Sequence, residues 1–262
     1  MMKRYLTAKR LFFVWICLAV LLSWSGSGHA ADVRVAVASN FIAPMKQLAQ
    51  RFEAETGVRV LVSAGSTGKL YAQIKNGAPF DLFLAANARE PERLEADGTG
   101  VKGTRFTYAR GRLALWCRDA VSAAAARSCL DNQPRRLAIA NPRLAPYGQA
   151  AESVMAALDV HLIGGIVSGE NIAQAFQLVW SGNVPLGFVA LSQVKNRTGL
   201  QGAYWAVPSL LHAPIDQQAV LLPRAQDNHN ARAFLDYLRG AAARTLIASF
   251  GYDVPQQLAE VR

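Results

Sequence analysis

Cysteine is scarce in this chain, with three among 262 residues at positions 17, 117 and 129. Histidine is hardly commoner. His161, His212 and His229 lie far apart and hold no helical or zinc-like spacing to the cysteines, so the pattern offers no metal-ligand site. Beyond the first thirty residues no run is long and apolar enough to cross a membrane. Acids are outnumbered, 18 against 28 Lys and Arg. That surplus is spread along the chain, with no basic run and no interleaved aromatics, which argues against a nucleic-acid-binding arm. A diffuse positive field draws in small anions or is a solvated surface. Neither an internal repeat nor a low-complexity linker is visible.

What is present begins at the amino terminus. Lys3, Arg4, Lys9 and Arg10 precede an uncharged apolar run of 12 residues, Leu11 to Leu22, and small residues follow to Gly28-His29-Ala30-Ala31. This order predicts a secretory signal peptide over residues 1–30, too short for a spanning helix and cleaved after Ala30. Cys17 lies inside the apolar run without the small residues that precede a lipidated cysteine. Removal of 30 of the 262 residues leaves 232, and because the leader holds four cations and no acid, the net charge of +10 falls to +6. The two remaining cysteines, Cys117 and Cys129, would reside in an oxidising periplasm, where a pair is expected to form a disulfide.

Short β-branched runs then alternate with helix-like stretches. Strands are predicted at 33–38, 58–62, 82–85, 105–108, 113–116, 137–140, 186–190, 204–207 and 219–222. Helices are predicted at 41–55, 69–76, 90–96, 148–158, 172–180, 231–238 and 241–250. Such alternation predicts an α/β protein of mostly parallel sheets flanked by helices. Without a linker, two lobes must be joined by crossing strands, placed near Thr107–Leu113 and Ile215–Leu221. Residues 31–110 would form the first lobe, completed by 218–262, and residues 111–217 the second.

Ligands of open parallel sheets bind beyond the carboxyl ends of the strands. Two corners there are notable. Val60-Leu61-Val62-Ser63-Ala64-Gly65-Ser66-Thr67-Gly68-Lys69 runs from a strand into a helix, with Gly65 and Gly68 expected to supply a tight positive-φ turn. Ser39-Asn40 repeats the design after the first strand. Helix N-termini with hydroxyls and backbone N–H groups bind anions, although Ser, Thr and Asn at such places also serve as plain caps. The glycine corner is not a nucleotide P-loop, since Ser63 stands where the first glycine belongs and Leu70 follows Lys69. Nor is Gly65-Ser66-Thr67-Gly68 a nucleophile elbow. The second half offers Asn141 to Gly148, containing Tyr147, and Ser168-Gly169-Glu170-Asn171-Ile172. Tyr147 is either a phenolic donor or a packing residue. Asp81, in a helix-to-strand turn, reads as structural.

With these motifs the chain resembles the periplasmic molybdate-binding proteins that deliver oxyanion to an ABC importer. The likeness runs from Val33 to Tyr252. It is carried by Ala38-Ser39-Asn40-Phe41, Gly65-Ser66-Thr67-Gly68, Asn76-Gly77-Ala78-Pro79-Phe80-Asp81, Ala145-Pro146-Tyr147-Gly148, Pro185-Leu186-Gly187-Phe188 and Phe250-Gly251-Tyr252. The resemblance implies the two-lobed periplasmic binding protein fold of the second type, with a hinge of crossing strands. It implies a non-enzymatic receptor, monomeric and without cofactor or nucleic-acid partner, that takes molybdate or tungstate and docks on a membrane permease. Molybdenum would enter only as the oxyanion, with no direct protein ligand. Carried over by position, the ligands are Ser39 with Asn40 beside it, Thr67 with Ser66 as its neighbour, Tyr147, and the backbone N–H of Ile172. Many members place a ligand tyrosine where this chain has Ala190. The chain therefore looks like a variant subgroup whose phenol comes from the Pro-Tyr-Gly loop. The rival readings are a receptor of the same fold for another solute such as sulfate, and an exported hydrolase using Ser39 or Ser66.

Overall fold

The computed structural model describes residues 32–132, 134 and 136–255. The leader read at residues 1–30, with Cys17, lies outside them. Among the described residues ten strands form two five-stranded sheets. The first contains β1 (Val33–Ala38), β2 (Val60–Gly65), β3 (Leu82–Leu84), β4 (Phe106–Gly111) and β10 (Ile215–Leu221), in the order β2-β1-β3-β10-β4. The second contains β5 (Leu113–Cys117), β6 (Leu137–Ala140), β7 (Ile166–Gly169), β8 (Leu186–Ala190) and β9 (Ala203–Ala206), in the order β7-β6-β8-β5-β9.

Period-2 alternation explains how each sheet is covered on both faces. Val33, Val35 and Val37 face one layer, packing with helix α1 (Ile42–Thr56) and the closing helices α8 (His229–Arg239) and α9 (Ala241–Ser249). Ala36 and Phe83 face the other, with Leu70 and Ile74 of α2 (Thr67–Lys75) and Leu94 of α3 (Arg89–Ala96). In the second sheet Leu113, Leu115 and Cys117 share one core with α4 (Ala123–Asp131) and α5 (Pro146–Ala157). Ala114 and Trp116 point the opposite way, toward Phe176 and Val179 of α6 (Ile172–Trp180). The four-residue helix α7 (Leu191–Val194) follows β8. The last helices thus pack against the first sheet.

Within each sheet four strands run one way and one is reversed: β10 in the first, β5 in the second. Both reversed strands follow directly on a passage between the sheets. The other strands end at the cleft, so a strand entering from the cleft must run against them. The sequence reading missed β7, an edge strand whose Ile166 is exposed and which has no apolar run. It also missed α4, an alanine-rich segment started by Ser122, whose Oγ accepts from Ala125 N at 3.2 Å. Cys117 at the end of β5 and Cys129 on α4 are joined by a disulfide, their Cα atoms 6.7 Å apart.

Candidate functional site

Five strand-to-helix corners meet between the two sheets. A single turn of 3-10 helix, Ser39–Phe41, follows β1, and Ser66 precedes α2. Ala86 follows β3, Tyr147 sits in the first turn of α5, and Asn171-Ile172 opens α6. All six residues singled out in the sequence, Ser39, Asn40, Ser66, Thr67, Tyr147 and Ile172, line one cavity. The space enclosed is ≈ 10 Å³, about what one water requires. None of the lining residues bears a charge. A groove of ≈ 490 Å³ beside Phe176 and Trp180 is far larger, but there the Arg197 guanidinium already stacks on both rings, 4.7 and 4.4 Å from their centroids.

The hydroxyls of the glycine corner differ sharply in their surroundings. Thr67 Oγ1 accepts from Ala86 N at 3.0 Å, tying α2 to the end of β3. Ser66 occupies the N-cap position of α2 in extended conformation, yet its side chain makes no cap bond. Its Oγ is buried without any hydrogen-bond partner. A buried hydroxyl left so is costly, about 1–3 kcal/mol, and it sits beside N–H groups at a helix start. On the opposite wall Asn171 Oδ1 accepts from Ala173 N and Gln174 N, at 3.0 and 3.1 Å. The N–H of Ile172 is the donor ahead of the two so capped.

The glycines act otherwise than expected. Neither Gly65 nor Gly68 adopts positive φ. Gly68 is needed for close approach: a Cβ there would lie 3.3 Å from both Cα and O of Leu144, across the cleft. Its N–H donates to Leu144 O at 2.9 Å. Beside it Lys69 Nζ reaches Glu170 at 3.0 Å, a half-exposed ion pair between the same two walls. Asp81 is buried at the far end of the first sheet, accepting from Arg34 N at 2.7 Å and facing Arg224 at 3.5 Å, which accords with its structural reading.

Behind the cavity lies a polar network that sequence reasoning did not find. Asn40 Nδ2 donates to Gln217 Oε1 at 2.8 Å and to Tyr252 OH at 3.1 Å. Tyr252 OH donates to the carbonyl of Asn40 at 2.8 Å and contacts Ser192 Oγ at 2.9 Å. Tyr108 OH lies 3.0 Å from Gln217 Oε1, and Gln217 Nε2 donates to Tyr147 OH at 3.3 Å. Burial pushes the phenols of Tyr147 and Tyr108 well above their ordinary range, aided by the neighbouring tyrosines, and raises Tyr252 to about 12. These groups are neutral donors at physiological pH. Gln217 is fully buried on β10; the one available signal was a glutamine inside the predicted crossing segment.

The comparisons agree with this architecture. Residues 33–253 match the family model of bacterial extracellular solute-binding proteins. The molybdate-binding protein ModA of Azotobacter vinelandii is 48% identical over 237 residues, covering 86% of this chain and 91% of that protein. ModA of Rhodobacter capsulatus is 40% identical over 237 residues, covering 90% and 93%. The solved structure of the Azotobacter vinelandii periplasmic molybdate-binding protein superposes with a TM-score of 0.80 and 36% identity, covering 86% of this chain and all of that one. With a whole-domain match of this extent, two sheets hinged by crossing strands and a neutral, donor-lined cleft, the chain belongs to the bacterial extracellular solute-binding proteins, in the branch that holds the ModA molybdate-binding proteins.

Proposed function

We propose that this protein is a periplasmic receptor that captures molybdate, and also tungstate, between two lobes and delivers it to an ABC permease in the membrane. The observation that carries the reading is the orphaned hydroxyl of Ser66, buried in a cavity of uncharged donors. A dianion is costly to desolvate unless several donors take up its lone pairs. Ser39, Ser66 and Tyr147 supply hydroxyls in this reading, and Asn40 and Ile172 supply backbone N–H groups. The side-chain amide of Asn40 is occupied by Gln217 and Tyr252, and the Thr67 hydroxyl by Ala86 N, which favours Ser66 over Thr67 as the contact at that corner. Tyr147 makes the Pro-Tyr-Gly loop the source of the phenol.

Sheet membership supports two lobes close to the division into 31–110 with 218–262 and 111–217, with Gly111 and Ile215–Gln217 paired in the first sheet at the crossings. The walls part on the two crossings to admit the ion and close on it, joined by contacts such as Gly68 to Leu144. Export by the N-terminal leader, action as a monomer and docking on the permease follow from the same family reading. An exported hydrolase is not favoured, because the relatives are solute-binding proteins and no histidine lines the cavity. Titration calorimetry of the exported protein against molybdate, tungstate, sulfate and hydrogenphosphate tests the proposal. Molybdate and tungstate should bind within about tenfold of each other, with sulfate at least about a hundredfold weaker, a gap of about 2.7 kcal/mol. Sulfate binding as tight as molybdate would overturn it.

A further inference from the structure

The buried network behind the cavity has a direction, and that direction reaches Tyr147. It can be followed hydrogen by hydrogen from a main-chain carbonyl, which can only accept. The carbonyl of Asn40 accepts from Tyr252 OH at 2.8 Å. Ser192 Oγ reaches the same carbonyl at the longer distance of 3.3 Å and the Tyr252 oxygen at 2.9 Å. With the Tyr252 hydrogen on the carbonyl, the atom of Asn40 facing the Tyr252 oxygen at 3.1 Å is Nδ2. The same nitrogen faces Gln217 at 2.8 Å, so the near atom of Gln217 must be Oε1. Its other terminal atom, Nε2, then donates to the oxygen of Tyr147 at 3.3 Å. The Tyr108 hydroxyl agrees with this direction through its shorter contact, donating to Gln217 Oε1 at 3.0 Å rather than to the carbonyl of Ala85 at 3.2 Å.

Resting on the reading of Tyr147 as a ligand, we propose that Gln217 is a positioning residue that makes the Tyr147 phenol an obligate donor toward the anion. Its N–H occupies a lone pair of the phenol oxygen, and the phenol hydrogen is left to turn between the Tyr252 oxygen and the cavity, where a dianion is the stronger acceptor. Tyr252, the next phenol, already accepts from Asn40 Nδ2 and contacts Ser192. Space enforces the arrangement. A Cβ at Gly111 would strike the Tyr147 hydroxyl and lie 2.7 Å from Gln217 Nε2, so the crossing strand must carry glycine there for the pair to meet. Gln217 stands on one crossing strand and Tyr147 on a helix of the second sheet, so donor polarity and lobe closure are set by the same contact. The consequence is discrimination by protonation. A fully deprotonated oxyanion accepts from every donor, whereas hydrogenphosphate, an ion of the same charge, brings a hydrogen for which this phenol has no acceptor to offer.

A double-mutant cycle on the whole exported protein tests the relay. In Gln217→Glu the carboxylate accepts the phenol hydrogen and turns it from the cavity. Tyr147→Phe should weaken molybdate at least tenfold in the parent, yet less than threefold in the Gln217→Glu background. The added charge is present on both sides of that second comparison and cancels. Equal losses in both backgrounds, with the parent binding normally, would overturn the relay and leave the receptor reading intact. A parent that binds no molybdate would overturn both, and a harmless Tyr147→Phe in the parent would overturn the phenol's role and the relay with it. Thermal melts establish that the variants fold. Should Gln217→Glu not fold, the cycle is run with Tyr252→Phe, which removes the oxygen that orients Asn40. The Tyr147→Phe loss should then shrink to less than half its parent value, and an unchanged loss would overturn the proposal.

Discussion

Ser66 and Thr67 are adjacent, chemically alike and equally buried, yet one is satisfied by Ala86 N and the other has no partner. Ser66→Ala should therefore act in opposite directions on binding and on folding. Molybdate affinity should fall ten- to hundredfold, the loss of about 1.5–3 kcal/mol expected for a hydrogen bond to a charged group. The unliganded protein should melt no lower than the parent, because a buried hydroxyl without a partner is removed. Calorimetry and a thermal melt on one preparation check both signs. A lowered melting temperature with undiminished affinity would mark Ser66 as structural. The strand-to-helix corner made both residues visible in the sequence, but not this difference, since the distinguishing neighbour is Ala86, on another strand end.

Among the elements, α2 and the loop after β6 meet without side chains intervening at Gly68. Gly68→Ala places a methyl 3.3 Å from the Leu144 backbone, closer than an ordinary contact. The substitution should leave each wall folded but hold them apart. Molybdate should bind at least about tenfold more weakly, and small-angle scattering should show less compaction on saturation than in the parent. The Lys69–Glu170 pair beside it is half exposed and adds little by itself. A second element-scale contact is the disulfide between β5 and α4. Closing so short a loop stabilises by about 2–3 kcal/mol. Reduction should lower the melting temperature by roughly 5–10 °C, with molybdate affinity unchanged, because neither cysteine lines the cavity.

For the whole molecule, the cluster of Tyr108, Tyr147 and Tyr252 sets a limit on alkaline stability. All three phenols are raised above the ordinary tyrosine value by burial. The unfolded chain therefore loses its phenol protons first, near pH 10, while the folded chain keeps them. Stability from these groups is fully present below pH 10 and declines as pH rises toward about 12, where Tyr252 titrates. The slope is up to about 1.4 kcal/mol per pH unit for each phenol. Urea unfolding between pH 8 and 11 should show this decline, and Tyr147→Phe should make it shallower. An unchanged slope would mean that the phenol is solvated.

Local pattern determined much of this protein. Alternating valines defined β1, and the two hydroxyl corners of the first sheet were legible because an anion site at a helix start is built from consecutive residues. Tyr147 and Ile172 stood in two candidate loops of the second half, and the resemblance turned them into ligand positions. The tertiary structure alone decided which hydroxyl is orphaned, which backbone Gly68 meets, and which groups surround the phenol. The contacts that settle these join residues as far apart as 177 positions for Asn40 with Gln217 and 212 for Asn40 with Tyr252. A hydrogen bond carries its direction from one group to the next through space, and a linear reading sees only the groups.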